Sequence, residues 1–189
     1  KLDIKKYFDT INHAVMKSLL ARRFKDKELL GLFQKLLDTY CTRPGKGMPI
    51  GNLISQHLAN FYLGVFDHWI KEERRIPGYV RYMDDILCFG PGRSYLNTEL
   101  GTIRNYLHHE LTLELKENVQ LNRCSYGIPF LGFRVFPGGI RLSARSRQRF
   151  VLKFREYERR YVEGEWSQAE LARHMEPLIA FTRNASGKG

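Results

Sequence analysis

Cysteine is scarce in this chain: Cys41, Cys88 and Cys124 lie far apart and show no metal-ligand spacing. An odd number so separated argues against a disulfide framework and fits a reducing cytoplasm. Long apolar runs are also missing, and none approaches the ~20 residues needed to cross a bilayer. The opening Lys1-Leu2-Asp3-Ile4-Lys5 lacks the pattern of a signal peptide. Acidic residues are in deficit, with 20 Asp and Glu against 31 Lys and Arg, a formal charge of +11. Such an excess calls for a polyanion, and without a membrane signal the better partner is nucleic acid. There is no internal repeat and no low-complexity segment. A hydrophobic share of 43% over 189 residues excludes wholesale disorder. An initiator Met is absent and the chain opens inside a strand-like stretch, so it reads as a fragment of a longer protein.

Hydrophobic period and turn residues predict the elements. Leu2 to Lys5 reads as the end of a buried strand. Asn12 caps a helix to about Phe24, and Asp26 caps a second with Leu29, Leu30, Phe33, Leu36, Leu37 and Tyr40 on one face. The stretch 43–51, rich in Gly and Pro, is a loop. A long helix follows over 53–72, its buried stripe Leu58, Phe61, Val65, Phe66 and Trp69. Ser94 caps another, with Leu96, Leu100, Ile103 and Leu107 inward. Short strands are expected within 112–121 and 129–136, then a helix from Ser143 with Phe150, Val151, Phe154 and Tyr157 as its apolar side. A last helix opens on a Ser167/Glu170 capping box and is kinked or split by Pro177. The tail Ala185–Gly189 is expected to be mobile.

The chemistry is concentrated at Tyr82-Met83-Asp84-Asp85, a turn between two β-rich stretches. Adjacent carboxylates repel by about 1 kcal/mol at ~4 Å in water and by more in a drier site. A cation removes that cost. An isolated Asp-Asp turn is usually just solvated. Here a second carboxylate, Asp3, ends the first strand, and pairing of that strand with the hairpin would bring Asp3 and Asp84 to one sheet edge. Such a site holds two Mg²⁺ ions about 3.5–4 Å apart, with Mn²⁺ as an alternative. Mg²⁺ takes hard oxygen ligands and keeps waters and phosphates, so no His or Cys is needed. His108-His109 reads as an ordinary helix C-terminal pair.

Five segments in order resemble the motifs of reverse transcriptases. Asp3-Ile4-Lys5-Lys6-Tyr7-Phe8-Asp9 is similar to motif A, and 47–56, Gly-Met-Pro-Ile-Gly-Asn-Leu-Ile-Ser-Gln, to motif B. Tyr82-Met83-Asp84-Asp85 is similar to motif C, Leu113-Glu114-Leu115-Lys116 loosely to motif D, and Phe130-Leu131-Gly132-Phe133 to motif E, the primer grip. Where most of that family carry Gln-Gly, three residues, then Ser-Pro, this chain has Ile50-Gly51, three residues, then Ser55-Gln56. That form resembles the enzymes of diversity-generating retroelements, prokaryotic and phage systems that copy a template RNA with mutations directed at adenines.

The resemblance implies an α+β fold: a palm over 1–139, an antiparallel sheet packed on helices, then a small helical thumb over 140–183 and a tail, 184–189. The fingers, with their triphosphate ligands, would lie upstream. It implies a cytoplasmic, prokaryotic or phage-encoded RNA-directed DNA polymerase. Template RNA, primer, cDNA and deoxynucleoside triphosphates would be its partners, with a small basic accessory protein and no membrane. Asp3 and Asp84 match the paired metal ligands and Asp85 the third acidic position. Phe8 matches the steric gate against a ribose 2′-hydroxyl, its alternative being a core aromatic. Ile50 would contact the nascent base pair, and Gly51 lets the backbone approach nucleotide or template. Ser55 and Gln56 complete that motif. Lys116 would protonate pyrophosphate, or is a solvated lysine. Between positions 134 and 160 nine Lys or Arg face two Glu, +7 of the +11. Arg141, Arg145, Arg147, Arg149 and Lys153 would there track phosphates, the alternative being a solvated helix face. A group II intron, retron or CRISPR-associated enzyme, and a non-catalytic RNA-binding relic, are the competing readings.

Overall fold

The computed structural model describes residues 1–183 and Ala185. The chain divides into two compact units, Lys1–Leu121 and a second beginning at Asn122. The compositional change near 139 therefore lies inside the second unit. The expected mobile tail falls outside the described residues, Ala185 apart.

In the first unit β1 (Leu2–Asp3), β2 (Gly78–Tyr82) and β3 (Asp85–Phe89) form an antiparallel sheet in the order β1-β3-β2. Leu2 pairs with Ile86 and Asp3 with Asp85, while Tyr82 pairs with Asp85 across a two-residue turn, Met83-Asp84. The strand expected within 112–121 is only an isolated bridge, Ile4 to Leu115. Its backbone still lies along β1, with Lys5 N–H donating to Glu114 O at 2.8 Å and Lys116 N–H to Asp3 O at 2.8 Å. The ladder cannot lengthen because β1 itself is two residues long and is followed by a turn into a helix.

Around the sheet lie α1 (Tyr7–Thr10), α2 (His13–Arg23), α3 (Lys27–Asp38), α4 (Leu53–His68) and α5 (Arg93–Leu111). The Asn12 side chain accepts from Ala14 N and Val15 N, and that of Asp26 from Glu28 N and Leu29 N. Each thereby satisfies donors that a helix start leaves open. Ser94 caps nothing: α5 starts one residue earlier, after Gly92, whose extended backbone enters the helix without a side-chain cap. The long helix is α-helical only to His68 and then forms a π-turn, Trp69–Glu73. Its most buried stripe is Ser55, Leu58, Ala59, Tyr62, Leu63 and Phe66, whereas Phe61, Val65 and Trp69 are half-buried. Ile70, four residues after Phe66, continues that stripe and is fully buried. Arg74 then reaches the buried Glu99 of α5 with two hydrogen bonds, 2.7 and 3.0 Å. One core gathers Ile4, Ile11, Met16, Leu63, Phe66, Ile86, Ile103 and Leu107. Buried His13 fastens the 43–51 loop to it, with Nε2 2.6 Å from Gly47 O.

The second unit opens on a meander of β4 (Ile128–Phe130), β5 (Phe133–Phe136) and β6 (Gly139–Leu142), in that order. Leu131 and Gly132 turn the first hairpin with φ of 48° and 84°. A Cβ at Gly132 would also meet Ser146 Oγ at 2.9 Å, so glycine is required there twice over. Helix α6 (Ala144–Val162) starts on Ser143, whose hydroxyl accepts from Ser146 N. Helix α7 (Gln168–Arg183) opens on the reciprocal Ser167–Glu170 box. It runs unbroken through Pro177, so of the expected kink or split the split does not occur. Aromatic contacts join the helices: Trp166 stacks on His174 at 4.5 Å and approaches Tyr157 at 5.2 Å. No apolar side chain among the described residues of this unit is fully buried.

Candidate active site

Directly opposed residues of an antiparallel pair project from the same face, so Asp3 and Asp85 share a side of the sheet. Asp84 is held beside them by the tight turn. Two lysines close the group. Lys116 Nζ lies 2.7 Å from Asp3 Oδ1, and Lys1 Nζ 2.9 Å from Asp85 Oδ1. The first contact is an ion pair without a well-directed hydrogen bond, since Asp3 Oδ1 is buried and lacks one. Lys116 is placed there by its own backbone, which donates to Asp3 O.

Electrostatics couple the four. Burial raises the Asp84 carboxyl above its usual range, and the Asp3 and Asp85 charges raise it further, while Lys116 opposes them. Contact with Asp3 raises the Lys116 ammonium, and the Asp84 and Asp85 charges add to that. A carboxylate disfavoured by its own neighbours is one that a cation would stabilise. Among the described residues no three His, Cys, Asp or Glu side chains are grouped so as to hold a metal ion by themselves. An all-oxygen, open donor set nevertheless suits Mg²⁺, which completes its shell with water and phosphate.

The other predicted residues fall in different places. Phe8, on α1, is half-buried with its ring edge-on to Tyr7 at 5.6 Å. Its carbonyl accepts from Met48 N–H at 2.9 Å, tying the first motif to the approach of the second. Ile50 is 75% exposed, and Gly51 beside it has a φ of 95° and open space around its Cα. Gln56 is exposed on α4, whereas Ser55 is fully buried and its hydroxyl has no partner. Arg145, Arg147, Arg149 and Lys153 are exposed on α6 of the second unit, and Arg141 of β6 lies over the Phe136 ring at 5.4 Å. Cys88 is half-buried, and burial pushes its thiol up to about 12, so it stays protonated and inert. No helix among the described residues is long and apolar enough to cross a membrane.

Sequence reasoning missed a polar cluster behind the turn. Arg81 of β2 is 10% exposed and grips Asp67 of α4 with Nε and Nη2, the Nε bond being 2.7 Å. Tyr79 OH donates to the same carboxylate at 2.6 Å. Burial and then that carboxylate raise the Tyr79 phenol well above its usual range. The available signal was a guanidinium inside an apolar strand, which is uncommon unless it is paired.

Comparison with known proteins agrees with this geometry. Residues 1–153 match the family model described as "Reverse transcriptase (RNA-dependent DNA polymerase)". The chain is 36% identical over 80 residues to the "Putative COX1/OXI3 intron 1 protein" of Saccharomyces cerevisiae, which covers 38% of this chain and 10% of that protein. It is 32% identical over 80 residues to the yeast "Putative COX1/OXI3 intron 2 protein", covering 39% and 9%. To "Protein YkfC" of Escherichia coli it is 31% identical over 85 residues, covering 42% and 22%. The chain thus spans less than a quarter of the length of each of these three relatives. With an α+β fold, a carboxylate-bearing hairpin opposite Asp3, and a family match over most of its length, the chain belongs to the reverse transcriptase family.

Proposed function

We propose that this chain is the palm and part of the thumb of an RNA-directed DNA polymerase, and that Asp3 and Asp84 are its metal-binding carboxylates. The observation that carries the reading is the convergence of Asp3, Asp84, Asp85 and Lys116 on one sheet edge. Bound Mg²⁺ supplies activation of the primer 3′-hydroxyl and charge stabilisation at the transferred phosphoryl group. Asp3 and Asp84 would hold it. Asp85, drawn toward Lys1, serves as a third acidic group. Lys116 keeps its proton at neutral pH, since its neighbours favour the charged form; that same preference makes it a weaker acid, so its role as proton donor to pyrophosphate rests on the motif resemblance. Phe8 acts as the gate against ribonucleotides. Arg141, Arg145, Arg147, Arg149 and Lys153 bind template and primer backbones.

The test is primer extension on an RNA template by the full-length protein. Asp84→Asn and Asp3→Asn are each expected to lower extension by several orders of magnitude while leaving RNA binding intact. Near wild-type extension by either variant refutes the assignment.

Within the family, the Ile50-Gly51 and Ser55-Gln56 pattern supports an error-prone enzyme of a diversity-generating retroelement, with a small basic accessory protein as partner. The second reading is an intron-encoded enzyme, favoured by the two yeast relatives named for introns. Ile50 separates them. Ile offers shape but neither donor nor acceptor, so a mismatched pair forfeits fewer contacts than it would beside Gln. Ile50→Gln is expected to reduce misincorporation opposite template adenine by about 5- to 150-fold, the effect of one or two hydrogen bonds. Sequencing of cDNA made by both forms checks this, and an unchanged adenine error rate favours the intron-encoded reading.

A further inference from the structure

The turn that presents Asp84 is strained at one residue. Met83 has a φ of 53°, the left-handed region that L side chains disfavour. Turns of this length are usually built with Gly or Asn at such positions. Something else must hold the conformation, and the same guanidinium that grips Asp67 is in place to do so. Arg81 Nη1 donates to the Met83 carbonyl at 2.9 Å and to Asn60 Oδ1 at 3.0 Å. Its Nε and Nη2 engage the two oxygens of Asp67 in a fork, and Tyr79 OH donates to the same Oδ1 that Nε engages. Asn60 and Asp67 belong to α4, whose Ala59, Tyr62, Leu63 and Phe66 are fully buried. The anchor is therefore a rigid helix.

We propose that Arg81 is a positioning residue for nucleotidyl transfer, holding the Asp84 carboxylate in place through the Met83 carbonyl. The inference rests on the polymerase reading above. The Met83 C=O and the Asp84 N–H belong to one planar peptide group. Fixing that oxygen fixes the plane from which Asp84 extends, and the guanidinium transfers the rigidity of α4 to the turn. Lysine has a single ammonium and cannot make the fork to Asp67 and the bond to Met83 with the same geometry.

The test compares wild type, Asp84→Asn, Arg81→Lys and Asp67→Asn in the full-length protein, by single-nucleotide addition with Mg²⁺ on an RNA template. Arg81→Lys is expected to lower kcat at saturating nucleotide by roughly ten- to a hundredfold, the effect of a small misplacement of a reacting group. The nucleotide KM and the affinity for template–primer should stay within about twofold. In the metal-free protein, amide exchange across 82–85 should quicken about tenfold while α2 and α5 are unchanged. Asp67→Asn should follow in the same direction with a smaller loss. If Arg81→Lys folds, binds template and retains wild-type kcat while Asp84→Asn is inactive, the proposal is overturned and the polymerase reading stands. If Arg81→Lys does not fold, Asp67→Asn decides, and an undiminished kcat in that variant overturns the proposal. Extension by Asp84→Asn would instead sink the polymerase reading and this inference with it.

Discussion

Asp84 is the residue at which the proposed function and stability pull apart. Burial and two like charges disfavour its ionised form in the folded chain, a penalty the unfolded chain does not feel. Its folded pKa lies above the ordinary value, so the native state binds more protons through that window. By linkage this group's contribution to stability falls as pH rises through it. At neutral pH without divalent cations, Asp84→Asn should therefore melt above wild type, by up to roughly 2–4 °C for a partly screened charge. The gap should close below the ordinary carboxylate range, where position 84 of the wild type is protonated both folded and unfolded. Thermal melts of both forms from acid to neutral pH check this, and a variant less stable than wild type at neutral pH would contradict it. The carboxylates were legible in the sequence because adjacent Asp residues in an apolar setting need an explanation. Arg81 was not, because its importance lies in which helix passes behind the strand. Ser55 was legible as part of a motif, but its burial depended on which stripe of α4 faces inward.

Caps and turns follow local chemistry, so Asn12, Asp26, Ser143 and the Ser167–Glu170 box lie where residue type places them. The end of α4 was less legible, because no hydrophobic period announces the change from α-helix to π-turn after His68. Pro177 shows the opposite failure: a strong local breaker overridden by its surroundings. It lies inside α7 and lines a cleft with Phe150, Tyr157, His174 and Phe181, and the helix continues despite the missing N–H. A proline within a helix costs about 3 kcal/mol relative to alanine. Pro177→Ala should raise the melting temperature of the second unit, corresponding to about 1–3 kcal/mol. An unchanged or lower value by calorimetry would mean that the ring's contact with α6 outweighs the backbone penalty.

Across the whole molecule, apolar burial and positive charge are segregated. Every fully buried apolar side chain among the described residues lies between Leu2 and Leu115. The stretch 134–160, by contrast, carries +7 of the net +11. The first unit is thus held by its core, and the second by aromatic contacts such as Phe133–Phe181 and Trp166–His174, with helix caps. Composition revealed the basic stretch, but the division at Leu121 depends on contacts that only the fold supplies. The lysines facing Asp3 and Asp85 have a practical consequence. Because Lys116 and Lys1 already neutralise those carboxylates, the architecture is expected to survive chelation, unlike small zinc domains whose folding free energy is the metal's binding free energy. If the full-length protein has the proposed polymerase activity, EDTA should silence it while its circular dichroism stays unchanged, and added Mg²⁺ should restore it without a refolding lag. On that proposed reading, a preparation kept in chelator would stay folded and be switched on by a single addition.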